Sequence, residues 1–210
     1  MKDFTYENND RKEKYEKYEW DEMWLEHADN LQKTRVLYIG DSISCQAGRV
    51  ATALTEERIL FDGYGTSKGI DNRYYNSTLK VFAQMEERRD VVLFNNGLHG
   101  WHLEDDTEYR FFYEETVKFL TEEFKGTPII IVLTTVTSNE ERNARVAVRN
   151  AVACEIADKY GLPVMDLCTP VKNAPEMISE DGVHLTEEGN KMLAGVIIRS
   201  IKNIVPDIDN

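Results

Sequence analysis

The sequence predicts an α/β domain on a mostly parallel five-stranded sheet with helices on both faces. Three observations carry this. Short, apolar, often β-branched runs alternate along the chain with longer segments of helical spacing. Strands linked through helices form parallel sheets that are covered on both sides. The length, 210 residues, suits one sizeable core, and no repeat, long linker or low-complexity tract breaks the alternation.

Residues 1–30 stand apart as a helical extension of a main domain over residues 31–210. This extension is dense in charge and aromatics, among them Tyr15, Tyr18, Trp20, Met23, Trp24 and Leu25. The spacing from Trp20 to Met23 and Trp24 and on to His27 fits a helix with one apolar stripe. Such a stripe is expected to pack on its own domain; a homo-oligomer contact through it is the alternative.

Arg35–Ile39 is the first strand, with a short helix after Ser42. Arg58–Phe61 is the second, followed by a helix over Tyr74–Met85. Val91–Phe94 is the third, with a helix over Glu108–Phe124. Pro128–Leu133, nearly all β-branched, leads into a long helix from about Glu140 to Tyr160. Pro163–Leu167 is a short fifth strand. Thr186 caps a last helix to about Ile201, with Glu187 and Glu188 suiting its positive end.

Composition narrows the function classes. The net charge of −13 argues against nucleic acid and anionic membrane surfaces as partners. The densest basic pair, Arg88-Arg89, is itself flanked by Glu86, Glu87 and Asp90. No apolar run reaches membrane-spanning length, and the polar N-terminus lacks the apolar segment of a signal peptide, so the chain reads as cytoplasmic. Cys45, Cys154 and Cys168 show no metal-type spacing, and Cys154 and Cys168 are expected to be buried thiols.

In such sheets ligands bind at the carboxyl ends of the strands, which selects the candidate chemistry. Gly40-Asp41-Ser42-Ile43 follows the first strand directly. A serine there lies at a helix N-terminus, where its own backbone N–H can help hold an oxyanion. Asp181-Gly182-Val183-His184 precedes the last helix, and a carboxylate three residues before an imidazole can fix its tautomer. Ser42, His184 and Asp181 together supply nucleophile, base and orienting acid. A rival motif, Gly65-Thr66-Ser67-Lys68-Gly69, matches a nucleophile elbow. Only two strands precede it, and Ser42 is favoured.

These segments resemble the first and last sequence blocks of the SGNH (GDSL-type) hydrolases, in the same chain order. The likeness spans roughly residues 34–201. It implies a three-layer α/β/α, flavodoxin-like fold and ester or thioester hydrolysis with no cofactor and no metal. The third block usually reads Gly-x-Asn-Asp; here Gly97 keeps the glycine, His99 replaces the asparagine and Gly100 the aspartate. The resemblance implies an oxyanion hole from the N–H groups of Ser42 and Gly69, with Gly65 as the alternate glycine, and a donor from His99. The substrate is expected to be a short-chain acyl ester, including O-acetyl groups on carbohydrates. Lipid or thioester hydrolysis is the alternative, and so is a non-catalytic carbohydrate-binding module. Trp101, Asn96 and Thr135 are the expected substrate contacts, Trp101 as an exposed indole for stacking. Asp41 follows the motif without an assignable chemical role. His99, His102, Glu104, Asp105 and Asp106 read as a polar rim rather than metal ligands.

Overall fold

The computed structural model describes residues 15–16, 18–206 and 208. Residues 1–14 and 17 of the expected N-terminal extension therefore lie outside the described residues. The strands are β1 (Asp21–Trp24), β2 (Thr34–Gly40), β3 (Ile59–Thr66), β4 (Val91–Phe94), β5 (Ile129–Val132) and β6 (Val164–Met165). Between them run helices α1 (Ser42–Leu54), α2 (Tyr75–Met85), α3 (Asp106–Glu123), α4 (Glu140–Tyr160), α5 (Cys168–Lys172) and α6 (Glu187–Ile204), with a 3₁₀ turn at Pro175–Met177. The spatial order is β1-β3-β2-β4-β5-β6. Every neighbouring pair is parallel except β1 with β3.

The alternation of a strand's side chains explains the layers. In β2, Val36 and Tyr38 enter one core with Ala47 of α1 and Leu193 and Ile197 of α6. Leu37 and Ile39 point the other way, to Leu79 of α2, Tyr113 of α3 and Val152 of α4. Both faces of β2 are thus fully buried, which is why its sequence is a continuous apolar run. The three-layer α/β expectation matches this architecture.

The N-terminal stripe does not. Residues 21–24 are an antiparallel edge strand, with Asp21 opposite Thr66 and Trp24 opposite Gly63, and they add a sixth strand to the sheet. The segment satisfies the outer hydrogen-bonding edge of β3, and this tertiary demand overrides a helical spacing of only a few residues. Met23 and Trp24 remain exposed. Strand β3 also runs further than Phe61. Asp62, Gly63 and Gly65 look like turn residues, but buried Asp62 accepts two 2.8 Å hydrogen bonds from Arg35 Nη1 and so can sit inside a sheet.

The expectation of two buried thiols at Cys154 and Cys168 is not met. Cys45 is buried, Cys154 is exposed and Cys168 is intermediate; the helix α4 face that carries Cys154 points outward. No helix among the described residues is long and apolar enough to cross a membrane.

Candidate active site

The central strand β2 delivers Ser42 to the rim of the sheet. Asp41, extended at φ −124°, ends the strand and caps α1, its Oδ1 accepting from the amides of Ile43 at 2.9 Å and Ser44 at 3.3 Å. This is the role the sequence left unassigned. The capping carboxylate fixes the first turn and so the position of Ser42, which is partly buried.

The loop before α6 brings the imidazole. Ile178 and Leu185 form a bridge, and Ser179 N–H donates to His184 O at 2.8 Å, closing a small hairpin. At its turn Gly182 has φ +78°, and a Cβ there would collide with the Ser138 hydroxyl. The Ser138 N–H donates to Gly182 O at 2.8 Å, so the β5–α4 loop braces the hairpin. His184 Nε2 lies 2.7 Å from Ser42 Oγ, and His184 Nδ1 lies 2.7 Å from Asp181 Oδ2.

Asp181 Oδ1 accepts from Ser179 Oγ and Val183 N at 2.8 Å and from His184 N at 2.9 Å. Partial burial pulls its pKa up. The Val183 amide, the His184 ring, the Ser179 hydroxyl and the His184 amide outweigh that and hold it well below the usual carboxylate range. An ionised Asp181 draws a proton onto Nδ1 and leaves the Nε2 lone pair facing the serine hydroxyl. The arrangement can deprotonate Ser42 and return the proton to a leaving group.

The opposite flank is formed by loops after β3 and β4. A Cβ on Gly69 would stand 2.9 Å from Gly100 Cα, so the two loops touch backbone to backbone at a point only glycine permits. His99 is 3% exposed, with its ring edge-on to Trp20 at 6.0 Å and Nδ1 3.8 Å from Glu16 Oε1. Gly65 lies within β3, paired with Gly40, rather than in the loop.

Ser67 is separate from this chemistry. It is 1% exposed; its hydroxyl donates to Glu19 Oε2 at 2.8 Å and accepts from Trp20 N at 2.9 Å. It fastens the N-terminal segment, and the elbow motif is a structural link.

Three expected substrate contacts are placed inside the protein. Trp101 is 3% exposed, with the Arg145 and Arg149 guanidinium groups over its ring at 5.0 and 4.7 Å. These two cations cover the ring that was expected to stack on a sugar. Asn96 is buried, and its backbone oxygen accepts from Tyr109 Oη at 2.5 Å. Thr135 is buried beside a small cavity shared with Asp41, Asn95 and Leu98. The Thr134–Asn139 loop spends polar groups within the protein: Thr134 Oγ1 accepts from Asn95 Nδ2 at 3.0 Å, and Asn139 caps α4 through the Arg142 amide at 2.9 Å.

Two positioning residues had no sequence signal beyond their i, i+4 spacing. Arg149, 3% exposed, donates to the carbonyls of Gly97 at 2.9 Å and of His99 and Gly100 at 2.7 Å. Arg145 donates to those of Trp101 at 2.8 Å and Leu103 at 2.9 Å. The loop carrying His99 is thereby fixed from below. His102 lies 3.1 Å from Asp71 Oδ1. No group of three or more His, Cys, Asp or Glu among the described residues is arranged to hold a metal ion.

No family model matches the chain, and no curated protein matches it. Solved structures do. An acetyl xylan esterase superposes with a TM-score of 0.62 at 18% identity, over 80% of this chain and 99% of its own. A GDSL-like lipase from Bacteroides thetaiotaomicron gives 0.66 at 14% identity, over 82% and 89%. The C-terminal catalytic domain of a peptidoglycan O-acetyltransferase from Streptococcus pneumoniae gives 0.62 at 20% identity, over 81% and 94%. The chain thus shares its three-layer α/β fold with solved esterase and GDSL-like lipase structures, and on that fold it carries a serine after the central strand and an Asp-x-x-His hairpin before the last helix.

Proposed function

We propose that the protein is a serine esterase that hydrolyses short-chain acyl esters, O-acetyl groups on carbohydrates foremost. The observation that carries this reading is the continuous chain from Ser42 Oγ through His184 to Asp181, 2.7 Å at each link. His184 Nε2 takes the Ser42 proton as Oγ attacks the acyl carbon. The negative oxygen that develops is held by the Ser42 amide at the start of α1 and by donors of the Gly69 and His99 loops. As the tetrahedral intermediate collapses, His184 gives its proton to the alcohol oxygen, the ester C–O bond breaks and the acyl group stays on Ser42. A water deprotonated by His184 attacks the acyl-enzyme, releasing the acid and restoring Ser42.

The similarity to an acetyl xylan esterase and to an O-acetyltransferase domain supports small acyl groups on polysaccharides. The test is a panel of 4-nitrophenyl esters of rising chain length with acetylated sugars, run on the wild type and on Ser42→Ala. The expected result is acid release from the short esters by the wild type and none by the variant. Equal turnover by both would overturn the reading.

A further inference from the structure

The chemistry at Ser42 divides its surroundings into two sides. In the tetrahedral intermediate the attacked carbon bears Ser42 Oγ, the oxyanion, the leaving oxygen and the acyl substituent. The leaving oxygen must reach His184 Nε2 to be protonated. The alcohol part therefore lies towards the 178–185 hairpin, where Ser138, Asn139 and Asp181 are exposed. In that reading the oxyanion and the acyl substituent share the side away from His184, towards the carboxyl end of β3 and the loop bearing His99.

That side is closed by the chain's own N-terminal segment. The Trp20 indole spans from His99, 6.0 Å away and edge-on, to the end of β3, where a Cβ on Gly65 would stand 3.5 Å from the ring and 3.3 Å from Asp41 O. Asp41 is the residue before Ser42. Glu16 is buried beside His99 in the same place.

The segment is fastened on both sides of the indole. Ser67 N–H donates to Trp20 O at 3.1 Å, and Trp20 N–H donates to Ser67 Oγ at 2.9 Å. Glu19 bonds the same hydroxyl at 2.8 Å. Asp21 pairs with Lys68 at 2.5 Å. Contacts from three consecutive residues, Glu19, Trp20 and Asp21, thus fix the backbone that carries the indole.

We propose that Trp20 is the specificity-determining residue of the acyl side, limiting the substrate to acyl groups about the size of acetyl. This rests on the ester-hydrolase reading above. A rigid apolar wall discriminates by volume, and one methylene in such a pocket changes kcat/KM by roughly 10-fold or more.

The experiment compares 4-nitrophenyl acetate, butyrate and hexanoate on the wild type, Trp20→Ala and Trp20→Phe, with melting temperatures measured on each. The wild type is expected to prefer acetate. Trp20→Ala is expected to raise the hexanoate-to-acetate ratio of kcat/KM by about 10-fold or more, and Trp20→Phe to raise it by less. An unchanged ratio in a folded Trp20→Ala protein overturns the inference. Should that variant not fold, an unchanged ratio in Trp20→Phe overturns it equally, as does a wild type that turns over hexanoate as fast as acetate. Absence of any Ser42-dependent ester turnover by the wild type would sink the esterase reading and this inference together. Ser42-dependent turnover indifferent to Trp20 sinks this inference alone.

Discussion

Two serines follow strands in this chain, and their partners separate them. Ser42 Oγ faces an imidazole that a carboxylate orients, whereas Ser67 Oγ is bonded to Glu19 and the Trp20 backbone. Ser42→Ala is expected to abolish ester hydrolysis. Ser67→Ala is expected to retain most of it and to lose stability by about 1 kcal/mol for the missing hydrogen bonds. Assays and melting curves on both variants check this, and an active Ser42→Ala beside a dead Ser67→Ala would reverse the assignment. His99 is the second residue-scale test. If its ring donates to the oxyanion, His99→Ala lowers kcat on the order of 10²-fold with little change in KM, because that bond exists only as charge develops. His99→Asn should recover much of the rate by restoring an amide donor. Near-normal kcat in His99→Ala would leave the oxyanion to the backbone amides. A loss of melting temperature without a loss of kcat would assign His99 to packing against Trp20.

At the scale of elements, the start of α1 couples stability to chemistry. Removing the cap with Asp41→Ala is expected to cost about 1 kcal/mol and to lower kcat, since the same turn aims Ser42. Asp41→Asn, which still accepts from the Ile43 and Ser44 amides, should restore most of the melting temperature. A variant that loses stability but keeps full kcat would show that the cap does not position the serine. What was legible in the sequence follows the same division. Helix α4 reads correctly end to end because local signals bound it, Asn139 as N-cap and Gly161 in the left-handed region at φ +64°. The Ser42 and Asp181–His184 segments read as one site because each is a local motif at a strand or helix end. Strand β1 did not, because four residues chose their conformation from the open edge of β3 rather than from their own spacing. Trp101 and Asn96 look like binding residues in a loop, yet Trp101 is covered by Arg145 and Arg149 of α4 and the Asn96 carbonyl is bonded by Tyr109 of α3, contacts that no local spacing announces.

The molecule as a whole joins groups 142 residues apart into one hydrogen-bonded chain, so the proposed site exists only in the intact fold. A buried charge cluster away from the site makes that fold sensitive to pH. Glu86 is 4% exposed, and its pKa is pushed up to about 8 by burial; the Arg89 bond pulls it down and Asp62 pushes it up. The folded chain thus keeps a proton that the unfolded chain, with a glutamate pKa near 4.3, has already released. The contribution of this group to stability falls as pH rises from about 5 to 8 and levels off beyond. Glu86→Gln should therefore gain on the wild type between pH 5.5 and pH 8 in denaturant midpoints; a constant difference would contradict it. Which atom attacks is read from the mass of the protein and its peptides after reaction with a fluorophosphonate. One adduct is expected, on the peptide containing Ser42, lost when His184 is changed to alanine. An adduct on Ser67, or unimpaired ester turnover by a protein fully modified at Ser42, would contradict it.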